Sequence, residues 1–279
     1  MAETNTPDSS CVRLGPKPSF IIQFKHAPPS LLARHTLNID DFHNLVVPNI
    51  QFTHARHMSH GYTILQFKPK NRALLQADTN HPSCYSQKAL SKIIATIKRS
   101  PEVQDLTPNF LSSVMEISQE NAHTQWNLQA PPGWIDAETA WVDFTMGQPH
   151  VTIAILDTGL LNHEALNPNR LLGVHFTNAG DAGLSATPSC SECASSAHGT
   201  LVAGIIAATG ELAYGETLSG VAPHSTILPV NVFTKFTDEA TCGFPPCIYS
   251  YLSDQINALY WLAGETIPGL PQAAHTVGC

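Results

Sequence analysis

The stretch that most constrains this chain is Val151–Leu156 (VTIAIL), an unbroken apolar run rich in β-branched residues. A run without polar alternation suits a strand buried on both faces, as in a parallel sheet. It ends in Asp157-Thr158-Gly159, and a polar loop rich in Gly and Ser follows. His198-Gly199-Thr200-Leu201-Val202-Ala203-Gly204-Ile205-Ile206-Ala207-Ala208 comes next. Its small residues would let a helix pack with its backbone close to a neighbouring strand. Ser219-Gly220-Val221-Ala222-Pro223, a strand at Thr226–Phe233 (TILPVNVF) and an amphipathic helix near Tyr251–Ala263 complete a β-α-β-α alternation. That alternation predicts a doubly wound, mostly parallel sheet. In such sheets reactive groups gather at the carboxyl ends of the strands. Asp157 stands at such an end, and His198 would open a helix nearby.

The preceding segment has a different character. Phe20–Phe24 reads as a short strand, and Leu31–Val46 has helix-like spacing of its apolar residues. Phe52–His57 and Tyr62–Phe67 read as strands joined by a turn at Ser59–Gly61. Ser86–Ile97 puts Leu and Ile on one helical face, and Val103–Leu106 is a last strand. The order β-α-β-β-α-β is the split βαβ, or ferredoxin-like, arrangement of an α+β domain. Its histidines (His26, His35, His43, His54, His57, His60, His81) are scattered without metal-ligand spacing and read as solvated or capping groups.

Charge divides the chain at the same place. Residues 1–110 hold 12 of the 14 Lys and Arg against 7 acids, whereas the rest holds 2 against 15. Two units that attract each other would produce this split, and so would drift between unrelated domains. The net charge of −8 argues against a protein that lives by gripping phosphate backbones, so no nucleic acid is expected. No stretch approaches the ~20 apolar residues of a membrane span. No signal peptide is visible at the start as given.

Each motif alone has a bland reading. A single Asp at a strand end is usually a structural cap, and His before Gly-Thr is usually nothing. Asp-Thr-Gly after an apolar strand also marks aspartic peptidases, in which two such loops share a proton. Only one occurs here, so that reading needs a homodimer. The conjunction is more specific: AILDTG, then HGTLVAGIIAA with His198 41 residues after Asp157, then GVAP. In this order the segments resemble the Asp and His segments of the subtilisin-like serine peptidases.

The resemblance implies His198 as general base and Asp157 as the carboxylate that orients it. It also implies a serine in a Gly-Thr-Ser segment well beyond the His. None occurs in the 81 residues after His198, so the chain reads as a fragment, a frameshifted product or a degenerate copy without its own nucleophile. Leu201 stands where the family usually has His, a position expected to serve packing. Residues 19–110 resemble the family's inhibitory propeptide, after a disordered segment 1–18. Residues 111–122 would be a linker with the processing site, and 123–279 a partial peptidase domain, with Gln125–Leu128 and Ala137–Trp141 near its start.

The expected function is thus the zymogen of a secreted endopeptidase acting on peptides or proteins, held by an intramolecular propeptide and monomeric. The alternative is a non-catalytic inhibitor or chaperone of a full-length relative. Calcium often accompanies the family, but no ligand set can be assigned. Seven cysteines remain, four of them as C-x2-C and C-x4-C. Zinc is one reading of two such pairs. The family's extracellular habit favours disulfides, with Cys193–Cys242 and Cys190–Cys247 expected. Cys11, Cys84 and Cys279 are expected to be unpaired.

Overall fold

The computed structural model describes residues 11–25, 36–37, 39–42, 45–71, 75, 84–113, 125, 128, 135–210 and 218–273. The chain forms two compact units. The first comprises Met1–Ser112, Phe236–Pro245 and Tyr251–Ser253; the second comprises Ser113–Lys235, Pro246–Ser250 and Asp254–Cys279.

In the first unit the strands are β1 (Cys11–Arg13), β2 (Ser19–Phe24), β3 (Thr36–Leu37), β4 (Ile50–His57), β5 (Tyr62–Pro69), β6 (Cys84–Ser86) and β7 (Val103–Pro108). Five of them form an antiparallel sheet in the order β3-β4-β5-β2-β7. Helix α1 (Gln87–Ile97) starts where Ser86 accepts a hydrogen bond from the Ala89 N–H, satisfying one of the first-turn donors. It buries Leu90, Ile93 and Ile97. These side chains join Phe20, Ile22, Leu65 and Phe67 in one apolar core. Phe20 and Phe67 stack there with ring centroids 4.9 Å apart.

The helix-like spacing of Leu31–Val46 does not carry over to the described part of that range. Thr36–Leu37 pairs with Ala55–Arg56 as the edge strand β3, and Ile39–Phe42 makes one 3-10 turn. Leu37 and Phe42 still reach the core, so burial wins over helical period. His26, His35, His43 and His81 lie outside the described residues.

A strand at Leu111–Ser112 (β8) closes the N-terminal part of the chain. The second unit begins its regular structure with helix α2 (Ala137–Asp143). It continues with β9 (Thr152–Asp157), β10 (Val174–Thr177), β11 (Asp181–Leu184), helix α3 (His198–Ala207) and β12 (Thr226–Asn231). The later elements of the chain are β13 (Thr234–Phe236), a short helix α4 (Glu239–Cys242) that belongs to the first unit, β14 (Cys247–Tyr251) and helix α5 (Leu252–Leu262). Four strands pair in the order β11-β10-β12-β9, with β10, β12 and β9 parallel and β11 antiparallel at the edge. The hairpin β10–β11 falls in the polar segment read from sequence as loop. Its turn needs left-handed backbone at Asn178, Ala179 and Gly180, and the strands are only four residues each. Period-2 alternation cannot be recognised in strands so short. Val174, Phe176, Leu228, Val230 and Trp261 make one core cluster, and Ile155, Leu160, Ala203, Ala207 and Ile227 another. No helix among the described residues is long and apolar enough to cross a membrane.

Candidate active site

Asp157 is the last residue of β9. Because β9 and β12 run parallel, their carboxyl ends coincide and Asn231 pairs in register with Asp157. Beyond the strand the chain turns through Gly159 at φ +95°, where a Cβ would strike the carbonyl oxygen of Ala186. Only glycine suits that backbone, so the Asp-Thr-Gly turn has a geometric reason for its third residue.

His198 is the first residue of α3. The helix buries Gly199, Ala203 and Ala207. A Cβ on Gly199 would run into the carbonyl oxygen of Gly159 and stand 3.1 Å from Asp157 Oδ1. The missing side chain is therefore what lets the helix start approach the end of β9. Thr158 bridges the two elements. Its Oγ1 accepts from the Gly199 N–H at 3.0 Å and donates to Ser196 O at 3.1 Å, while its N–H donates to Asp157 Oδ1 at 2.6 Å.

This arrangement leaves His198 Nδ1 at 2.9 Å from each oxygen of the Asp157 carboxylate. Nδ1–H is the donor to a carboxylate, and in the neutral imidazole with that tautomer the other nitrogen, Nε2, is the acceptor. Nε2 has no hydrogen-bond partner among the described residues. Both side chains are mostly buried, with 19% of His198 and 12% of Asp157 exposed. They line a cavity of about 400 Å³ together with Ser113, Leu156, Val232, Phe233, Gln255 and Leu259. A base oriented by a carboxylate, with its free nitrogen beside a part-apolar cavity, can take a proton from a bound hydroxyl.

The expected cysteine pairing is overturned. Cys190 bonds to Cys193, with Cα atoms 5.5 Å apart, so neither Cys193–Cys242 nor Cys190–Cys247 forms. Cys242 and Cys247 are both disulfide-bonded, which also removes the zinc reading of these four sulfurs. Cys84, expected to be unpaired, is disulfide-bonded too. The physical reason for the local pair is the tight turn at residues 191–193, which brings two cysteines three apart to disulfide distance. The side chain of Cys11 and all of Cys279 lie outside the described residues. Beside this loop Lys235 pairs with Glu192 and holds its carboxyl below the usual carboxylate range, chiefly through the side-chain hydrogen bond. Leu201, expected to serve packing, is 39% exposed. On α3 it lies two residues from both Gly199 and Ala203, on the side opposite these buried positions. Among the described residues no group of three or more His, Cys, Asp or Glu side chains gathers as a metal site would require.

Sequence reasoning missed Thr158 as a bridge and Asn231 altogether. The signal for Asn231 was present, since it is the one polar amide inside the otherwise apolar, hydroxyl-free run Ile227–Phe233. A polar side chain at a buried strand end must be hydrogen-bonded to something.

The chain is similar to known proteins over the segment that carries Asp157 and His198. Residues 148–242 match the Subtilase family. The chain is 28% identical to an extracellular protease of Xanthomonas campestris over 205 residues, 66% of this chain and 32% of that protein. An extracellular basic protease of Dichelobacter nodosus is 27% identical over 214 residues, 68% of this chain and 33% of that one. The chain thus spans about a third of the length of these curated relatives. A solved structure of proteases from Pseudoalteromonas arctica aligns with a TM-score of 0.40 and 29% identity, covering 53% of this chain and 44% of its own. The family match and the protease relatives together support a subtilisin-like peptidase.

Proposed function

We propose that Asp157 and His198 are the orienting carboxylate and the general base of a serine-type endopeptidase, one that hydrolyses peptide bonds through an Asp-His-Ser triad. The observation that carries this reading is the 2.9 Å contact between His198 Nδ1 and Asp157, inside the segment that matches the Subtilase family. In the reaction the serine Oγ attacks the scissile carbonyl while His198 Nε2 takes its proton. Asp157 holds the imidazole in the required tautomer and stabilises the imidazolium that forms. In this proposal the serine is not one of these 279 residues, which contain no Gly-Thr-Ser segment.

The test is complementation. The chain is combined with the Gly-Thr-Ser-bearing C-terminal half of a related protease and treated with a fluorophosphonate probe. Labelling is expected only in the complemented sample, and His198→Ala should abolish it. Labelling of the 279-residue chain alone, lost on His198→Ala, would overturn the claim that the serine lies elsewhere.

Residues 19–110 act in this proposal as the inhibitory propeptide of a secreted zymogen. Two features support it. The antiparallel order β3-β4-β5-β2-β7, with α1 packed into the same core, supports the α+β module that the family resemblance implies. Ser113, just beyond this module, lines the cavity of Asp157 and His198 and suits a tail that ends there as a product-like strand. Cleavage would fall between Leu111 and Ala122, of which residues 114–122 lie outside the described residues. The names of the two relatives, both extracellular, agree with secretion. Residues 18–115, titrated into an active relative, should inhibit it, with an on-rate that falls as salt screens the attraction between basic and acidic surfaces. A folded module that does not inhibit at low or physiological salt would remove the propeptide role.

A further inference from the structure

Asn231 ends β12 beside Asp157 and is almost wholly buried, with 1% of its surface exposed. A buried amide costs stability unless its donors and acceptor are matched. Here they are matched on both sides. Nδ2 donates to Thr187 O at 2.9 Å and to Ser189 Oγ at 3.1 Å. Oδ1 accepts from the Phe233 N–H at 2.9 Å. Ser189 Oγ in turn donates to Phe233 O at 2.5 Å. One side chain thus ties down both backbone polar groups of Phe233, the first directly and the second through Ser189.

The two things that Asn231 holds lead to the same cavity. Phe233 is one of its walls, alongside Leu156, Val232 and Leu259. The loop through Thr187 and Ser189 runs into the Cys190–Cys193 disulfide and then the 3-10 turn Ala194–Ala197, which ends at His198. That turn is anchored at its start, where the Ser196 N–H donates to Cys193 O at 3.0 Å. Asn231 touches neither Asp157's carboxylate nor His198 in any recorded hydrogen bond. Its action is on Phe233, which lines the cavity together with the pair, and on the loop that leads to His198.

We propose that Asn231 is a positioning residue. It fixes the Phe233 wall against the Asp157–His198 pair, and the site thereby selects peptides that bring an apolar side chain to that wall. This selection rests on the peptidase reading of the cavity. An apolar wall separates substrates by about 10- to 200-fold for a methylene gained or lost, and only while the wall keeps its place. A misplacement of about 1 Å is enough to lose most of such an effect.

The experiment uses the full chain and two variants, Asn231→Leu and the milder Ser189→Ala, which keeps the Asn231 bond to Phe233 N–H. Three readouts are taken: hydrogen exchange at the Phe233 amide, the NMR signal of the His198 Nδ1 proton, and affinity for two labelled tetrapeptides. The peptides are Ala-Ala-Leu-Ala and Ala-Ala-Asp-Ala. Asn231→Leu should speed Phe233 exchange about tenfold, the equivalent of one lost hydrogen bond. Ser189→Ala should leave that exchange nearly unchanged. The parent should prefer the leucine peptide by about tenfold, and Asn231→Leu should erase the preference with the His198 signal intact. Unchanged Phe233 exchange in Asn231→Leu overturns the positioning role. Faster exchange with the preference retained overturns the selection. Binding of neither peptide by the parent overturns the selection, while labelling of the complemented enzyme decides the peptidase reading and Phe233 exchange decides the positioning role.

Discussion

In the complemented enzyme, Asp157→Asn should keep the fold and lower kcat by about four orders of magnitude, as expected when the orienting carboxylate of such a triad becomes an amide. The substitution changes almost no volume. It replaces an acceptor-only group with one that can donate, and an Asn amide facing His198 Nδ1 favours the tautomer with its proton on Nε2. That nitrogen is the one that must be bare to receive the serine proton. The negative charge that would stabilise the imidazolium is lost as well. Steady-state hydrolysis of a peptide ester, read beside an unfolding curve, separates the two effects. A variant with kcat close to the parent's would remove Asp157 from the proposed role, whereas a large loss with an unchanged midpoint supports it.

Phe20→Ala should destabilise the five-stranded sheet by about 3–5 kcal/mol, the cost of emptying a large buried aromatic site. Phe20 is completely buried and stacks on Phe67, itself 1% exposed, so the hole would open between β2 and β5. Neither strand can shift to fill it, because β2 is hydrogen-bonded to β5 on one side and β7 on the other. Hydrogen exchange of the β2, β5 and β7 amides reads the loss where it arises. Phe20→Leu keeps most of the apolar volume and should cost much less. Equal losses for the two variants would show that the site needs a ring and not merely volume.

How much of this could be read beforehand depended on the residue pattern in each element. The strand at β9 and the helix at α3 were legible because their runs are long, apolar and rich in small or β-branched residues. Helix α1 and strands β4 and β5 were legible from ordinary periodicity. The nearness of Asp157 and His198 followed from topology, since a parallel strand end and a helix start must meet there. The helical spacing in 31–46 misled at its described residues because Leu37 and Phe42 reach the core from a strand and a 3-10 turn instead of from a helix. Cysteine pairing was beyond reach, as four cysteines allow three connectivities and the choice lies in a turn that only the folded chain displays. Asn231 was overlooked because its partners, Thr187 and Ser189, lie more than forty residues away in a loop without a pattern of its own.

The pairing of β12 with β9 also sets a timetable for folding. Residues Thr152 and Thr226 must meet across roughly 70 residues of chain, whereas β4 and β5 close over the short connection 58–61. Long-range pairing of this kind is slow, and short-range pairing is fast. On a ribosome the N-terminal sheet can assemble while the partner that β9 needs is still unsynthesised. Through that interval β9 is an apolar strand without its parallel neighbour, the kind of segment that seeks other chains. β12 is the last of the four strands to emerge, and Asn231 is its last residue. The register that puts Asn231 beside Asp157 is therefore the final one that synthesis makes available to this sheet.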